Sequence, residues 1–320
     1  MNKVLSSADC FHAPLLRQRV LWVAVLLVCT SASVAGAQQA FNTPDEAASA
    51  LVNAVKTGER KAMVTVLGAD GEDIVSSGDL VADATTRQNF VAAYDAKHQI
   101  AMEGDNKATV VVGQEEFPLP IPLVLKDGKW RFDTTAGREE ILARRIGKNE
   151  LDAIQTSLAY VDAQNEYAEK DRTGAGVKTY AQRIISQPGK KDGLYWPTSQ
   201  GDEPSPLGEL VARATAQGYR AGGERAPFHG YYFKVLTKQG SAAPGGELEY
   251  IVRGKMIGGF ALVAYPAEYR NSGVMTFIVN YAGAVFQKDL GPDTARLAER
   301  MSSYNPDRTW KQVADTEASK

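Results

Sequence analysis

The sequence is poor in the residues from which most catalytic and metal sites are built. Its 320 residues include two cysteines and three histidines. Both cysteines, Cys10 and Cys29, lie near the N-terminus. If that segment is removed, the remainder has no disulfide, thiolate nucleophile or cysteine metal site. An oxidising compartment suits that absence, because a stray thiol is a liability there. Past the same segment only His98 and His229 remain. Two histidines exclude a three-histidine zinc site, and H-E-x-x-H does not occur. There is no G-x-S-x-G elbow and no P-loop, and "GAGVKT" lacks the last glycine of a dinucleotide fingerprint. No element carries a basic stripe, and the formal charge is −2. That argues against nucleic acid as a partner.

The N-terminal segment has a pattern of its own. Arg17 and Arg19 precede an apolar run from Val20 to Val28, and small residues then lead to Ala35-Gly36-Ala37. A basic flank, a short apolar core and an A-x-A site predict a secretory signal over residues 1–37, cleaved after Ala37. The run is shorter than the roughly 20 apolar residues of a membrane span. Cys29 follows Val28, where a lipoprotein signal needs Gly or Ala. Removing residues 1–37 takes out three basic residues and one acidic residue, moving the charge from −2 to about −4.

The rest is too long for most single cores, which predicts two domains, 38–135 and 136–310, and a frayed tail over 311–320. The first opens with "TPDEAASALVNAVKTGERKAMVTVLG". Thr43 is an N-cap, Pro44 suits the first helical position, and Gly58 stops the helix. A second helix runs to about Leu67, and a third from about Thr86 to Lys97. Strands follow in "KATVVVG" and "LVLKDGKWRFD", where Asp127-Gly128 is a type I′ turn pair.

The second domain opens with "GREEILARRIG", and Gly147 reads as a break. Asn149 then caps a helix to Asp171, with Leu151, Ile154, Leu158 and Val161 as its apolar stripe and Tyr160 and Tyr167 extending it. A short helix is expected in "VKTYAQRIIS" and another from Leu207 to Ala216. The strands expected next are "GYYFKVLT", "LEYIVRG", "GGFALVAYP", "VMTFIVN" and "AGAVFQKDLG". "FALVA" and "FIV" are continuous apolar runs and so belong to central strands. A closing helix starts at Pro292-Asp293.

Residues 40–135 resemble the NTF2-like (cystatin-like) superfamily, through the "TPDEAASALVNAVKTGERKAMVTVLG" helices and the hairpin. "NELDAIQTSLAYVDAQNEYAEKDRTGAGVKTYAQRI", "HGYYFKVLT", "GGFALVAYPAEYRNSGVMTFIVN" and "AGAVFQKDLGPDT" resemble an exported bacterial family, domain of unknown function 2950. That resemblance supplies no catalytic residue. The same segments are similar to the globular part of type IV pilin-like proteins, although here the long helix is internal and amphipathic. Together these imply an α+β protein: an NTF2-like cone, then a pilin-like domain with a long helix packed on an antiparallel sheet.

Six side chains stand out as binding candidates. Tyr94, Asp95 and His98 share a helix end and either face the mouth of the cone or, as preferred, pack and cap the C-terminus. Tyr195 and Trp196, in a Pro/Gly loop, either stack on a sugar or partner or plug the gap between helix and sheet. His229, beside Tyr231, Tyr232 and Phe233, reads as the first residue of a core strand, needing one hydrogen-bond partner. None is assigned a catalytic role. The loop from Asp171 falls short of a calcium site, with Thr173, Ala175 and Gln182 where the EF-hand pattern needs better ligands.

The sequence therefore points to an exported, periplasmic or secreted, non-enzymatic protein of the cell envelope. It is expected to need no metal or cofactor and to have no stable membrane span after cleavage. Its role is that of an interaction or assembly module for an envelope protein or polymer. The alternative is a small-ligand binder or weak hydrolase working from the cone. Intact mass of the exported protein is expected to place the mature N-terminus at Gln38; retention of residues 1–37 would contradict the cleaved-signal reading.

Overall fold

A computed structural model describes residues 38–172, 174, 176–220 and 226–314. The signal over 1–37, Thr173 and Ala175 of the Asp171 loop, and the tail from 315 lie outside the described residues.

Helices come first. α1 (Pro44–Thr57) is built as its sequence dictates. Thr43 accepts from the Glu46 amide, Glu46 reaches back to the Asn42 amide, and Gly58 closes the helix at φ 70°. α2 (Arg60–Leu67) and the short α3 (Glu72–Val75) follow. α4 spans Leu80–Ala96 and starts six residues earlier than expected, because Asp79 caps it through the amides of Val81 and Ala82. The N-cap carboxylate satisfies two of the amides a helix start leaves over.

The first sheet has β1 (His98–Glu103), β2 (Lys107–Val112), β3 (Phe117–Pro118), β4 (Leu123–Lys126) and β5 (Lys129–Phe132), in the antiparallel order β1-β2-β4-β5 with β3 also on β2. Asp127 and Gly128 have φ of 52° and 71°, as a type I′ turn requires. Trp130 and Phe132 are buried against α1 and α2 in a cluster running from Phe41 to Phe132.

α5 is a single 35-residue helix, Thr134–Ala168. Gly147 does not break it: a Cβ there would meet nothing within 4 Å, so it costs the helix only propensity. Asn149 is accordingly no cap. It is a buried mid-helix residue donating to the Ser272 carbonyl at 2.9 Å. The buried face also differs from the leucine stripe. Ala153, Ile154, Ser157, Tyr160, Val161, Gln164 and Tyr167 are buried, while Leu151 is 56% exposed. Small and polar residues carry part of this face, and hydropathy alone does not find them.

Beyond α5 the expected "VKTYAQRIIS" helix is absent. Gln164 takes that segment's backbone instead, accepting from the Ala181 amide and donating to its carbonyl, both at 2.8 Å. After α6 (Gly208–Ala216) come β6 (Tyr231–Leu236), β7 (Lys238–Gln239), β8 (Leu248–Glu249), β9 (Ile251–Val252), β10 (Lys255–Met256), β11 (Ala261–Pro266), β12 (Met275–Asn280) and β13 (Phe286–Asp289). α7 (Thr294–Arg300), β14 (Ser303–Tyr304) and β15 (Lys311–Gln312) complete the described chain. The main sheet is antiparallel, ordered β15-β13-β12-β11-β6, with β11 and β12 central and almost wholly buried. A small sheet β14-β7-β8 contains one parallel pair. On β6, Lys234 caps the C-terminus of α7 through the carbonyls of Glu299 and Met301, which explains the mixed face of that strand.

The fold is thus mixed α+β with several antiparallel sheets and one long helix. The described residues from 38 onward form one compact unit with two hydrophobic clusters. α5 begins beside the first and packs along β11 and β12 of the second. Its first turn fits closely. A Cβ on Gly137 would lie 2.6 Å from the Pro120 carbonyl oxygen and 2.8 Å from the Ile121 Cα. Gly137→Ala is expected to destabilise by about 1–3 kcal/mol in urea unfolding, since backbone must shift. Gly147→Ala should stabilise by up to about 1 kcal/mol. Equal effects would contradict the continuous helix.

Candidate functional site

A nearly dry carboxylate organises the region where the start of α4, the segment after α6 and the turn before β6 come together. Asp79 is 1% exposed. One oxygen caps α4; the other accepts from the Tyr219 hydroxyl at 2.8 Å and the Gly230 amide at 2.9 Å. A buried carboxylate is tolerated only with such full satisfaction. Burial, then the neighbouring Asp79 charge, holds the Tyr219 phenol well above its ordinary pKa, so it stays a donor. Tyr219 also accepts from the His229 amide at 3.3 Å.

His229 is not the first residue of a core strand. It and Gly230 form a tight turn, with φ of 50° and 76°, between the bridged residues Phe228 and Tyr231. This repeats the Asp127-Gly128 device, and β6 starts only at Tyr231. The ring has two partners: Nδ1 is 2.6 Å from Asp152 Oδ2 and Nε2 is 3.0 Å from Gln217 Oε1. It lies against Tyr219 and Phe228, with centroids at 5.7 and 4.2 Å. Both ring nitrogens thus have a partner, and the ring is fixed in place.

Asp152 also accepts from Lys148 Nζ at 2.6 Å. Its partial burial favours the neutral acid, but the hydrogen bonds from His229 and Lys148 outweigh that and hold the carboxyl below the usual range.

Of these groups, Tyr219, His229, Gln217 and Lys148 line part of a cavity of about 700 Å³. Leu51 and Val55 of α1, Met63 and Leu67 of α2, Ile74 and Val75 of α3, Phe90 of α4 and Ile141 of α5 form its apolar wall. Gln217, Tyr219, His229, Lys148 and Asn149 give it a polar end. Small-molecule sites are typically about 300–1,000 Å³, mostly apolar, with a few placed polar groups. A second, polar cleft of about 450 Å³ includes Arg60, Glu72, Asp73 and Arg138. Arg60 pairs there with Glu72 and Arg138 with Asp73, while Asp70 and Glu268 accept from Thr135 and Asn271.

Of the six side chains singled out in the sequence, His229 lines the cavity and the other five do not. His98 Nδ1 lies 2.9 Å from the Tyr94 carbonyl, and its ring stacks on buried Tyr94 at 3.8 Å. Asp95 pairs with Lys56 at 2.9 Å. Trp196 is 4% exposed, donates to the Glu203 carbonyl and lies beneath Arg172 and Lys191. Tyr195 packs beside it against the second cluster. Among the described residues, no group of three or more His, Cys, Asp or Glu is placed to hold a metal ion.

Sequence reading missed Asp79, Tyr219, Asp152 and Gln217. "SSGDL" does carry an N-cap signal at Asp79, whereas Tyr219 and Gln217 reach the site only through tertiary structure.

The fold is that of an α+β protein with a cavity lined by its first helices and, through Tyr219 and His229, by the polar groups around Asp79. The family model described as Protein of unknown function (DUF2950) matches residues 38–313, and the chain belongs to that family. Neither the curated proteins nor the solved structures give a match. Among the described residues, no helix is long and apolar enough to cross a membrane.

Asp152 gives a pH signature. Its depressed folded-state pKa contributes stability that is present above its unfolded value, roughly 4, and is lost as pH falls through the folded value. Asp152→Asn is expected to flatten the acid side of the stability–pH profile measured by urea unfolding. Parallel wild-type and variant profiles below about pH 5 would contradict the assignment.

Proposed function

We propose that this protein binds a small, largely apolar molecule in the cavity between α1, α2, α4 and α5, and does so outside the cytoplasm. The single observation that carries the reading is the cavity itself: about 700 Å³, mostly apolar in its lining, with a few polar side chains that include Tyr219, Gln217 and His229. A site with apolar walls and a satisfied polar end binds by burying ligand surface, and needs no nucleophile or metal. Export after cleavage at residue 37 belongs to the same proposal and rests on the leader pattern. We read the first helices and sheet as an NTF2-like cone, and α5 with the β6–β13 sheet as a pilin-like layer. The order of helices, sheet, long helix and sheet supports that reading.

A second reading, an interaction module for an envelope protein or polymer, has its own support. Val252, Ile257 and Tyr281 around the β9–β10 hairpin are each at least 40% exposed. The cavity reading is preferred because its chemistry is defined.

Titration with the neutral fluorophore N-phenyl-1-naphthylamine is expected to give saturable binding with a blue-shifted emission. Ala82→Trp, which adds an indole to the lining, should weaken binding by at least about tenfold while leaving the circular dichroism unchanged. No saturable binding to the folded wild type would sink the cavity reading.

A further inference from the structure

The charges around the cavity are lopsided, Asp83 against Arg87, Arg144, Arg145 and Lys148, and Arg145 is the cation among them that is held in place without an acidic partner. Asp83, an acid in the lining, is spoken for: it is buried and accepts from the Ser77 amide and, at 2.6 Å, from the Ser77 hydroxyl. It is not set up to receive a cation. Lys148 is paired with Asp152, and Arg144 with Glu140. Arg145, in contrast, is fixed by neutral acceptors. Nη1 donates to the Asp73 carbonyl at 2.6 Å and to Asn271 Oδ1, and Nη2 donates to the Ile74 carbonyl at 2.5 Å. These bonds lock the guanidinium against the α3 turn without neutralising it.

A guanidinium has five N–H donors. Three are used, which leaves the one on Nε and one on Nη2. Arg138, two turns earlier on α5, shows what that pair of atoms can do: its Nε and Nη2 both donate to the Asp73 carboxylate. Planar carboxylates match this two-donor geometry. Arg145 is also largely out of water. Burial is the main influence on it and lowers its pKa from the ordinary value, against the more distant charges of Asp83, Asp73 and Glu268. A buried cation held in place by neutral groups is most stabilised by an anion arriving beside it.

We propose that the ligand of this cavity is a long-chain carboxylate, with its alkyl chain along the wall formed by Leu51, Val55, Met63 and Phe90, and its anionic end on Arg145. The proposal rests on the reading of the cavity as a ligand site and adds the ligand's charge and the residue that recognises it. A carboxylate gains charge-assisted hydrogen bonds there, an alcohol of the same length gains weaker ones, and an alkylammonium meets a like charge.

The test uses the purified protein and three competitors of equal chain length below their micellar concentrations: dodecanoate, dodecanol and dodecyltrimethylammonium. Each displaces N-phenyl-1-naphthylamine. Dodecanoate is expected to bind at least about tenfold more tightly than dodecanol, and the cation most weakly. Arg145→Met should bring dodecanoate to within about threefold of dodecanol, while weakening dodecanol itself by no more than about threefold. Because Arg145 also anchors the α3 turn, the wild-type series decides the question alone if that variant does not fold. If dodecanol matches dodecanoate on the wild type, the carboxylate assignment is overturned and the cavity remains a site for neutral molecules. If the fluorophore itself does not bind, the underlying reading of the cavity fails.

Discussion

Asp79 is a negative charge almost completely removed from water, and the site exists in its present form because of how that charge is satisfied. Desolvating a carboxylate costs several kcal/mol unless hydrogen bonds replace the lost water. Four donors do so: the amides of Val81 and Ala82 at the start of α4, the Tyr219 hydroxyl after α6, and the Gly230 amide at the turn into β6. The donors come from parts of the chain about 140 residues apart in sequence. One side chain therefore sets where α4 begins, where Tyr219 rests, and how the His229-Gly230 turn meets the helices. His229 and Tyr219 then form the polar end of a cavity whose remaining wall is supplied by the helical layer.

α5 supplies the frame for this arrangement. It begins at the edge of the first cluster, carries Arg145 and Lys148 past the cavity, gives Asp152 to His229, and then buries Tyr160 and Tyr167 in the second cluster. A helix of this length transmits position rigidly. The polar residues along it are matched one by one: Asn149 to the Ser272 carbonyl, Glu150 to the Val274 and Met275 amides, Gln164 to the Ala181 backbone. The cavity is left beside a helix fixed at both ends. That rigid frame supports the proposed binding site, with His229 fixed through both ring nitrogens.

Much of the architecture was legible in the sequence because it follows local rules. Thr43, Pro44 and Gly58 delimit α1, Asp127-Gly128 makes the hairpin, and the apolar runs of β11 and β12 mark the central strands. What was not legible depends on partners distant in sequence. Gly147 looks like a helix breaker, but nothing near it favours a break, and packing on both sides carries the helix through. "VKTYAQRIIS" has helical periodicity, yet Gln164 claims its backbone. The site itself was the least readable part. His229 drew attention for its rarity, and it lines the cavity, although its conformation is that of a turn and not of a strand. Arg145 sits in "LARRIG", where neither arginine is distinguishable from a solvated one, and only the carbonyls of the α3 turn set it apart.

The claim on which this account stands is that Asp79 and Tyr219 act as one unit holding the helical layer to the second sheet. A double-mutant cycle tests it directly: wild type, Asp79→Ala, Tyr219→Phe and the double variant, each unfolded in urea. A coupling energy of about 1–3 kcal/mol is expected, because removing either partner forfeits the same bond. Effects that add within about 0.5 kcal/mol would show that the two residues do not depend on each other and would contradict the account.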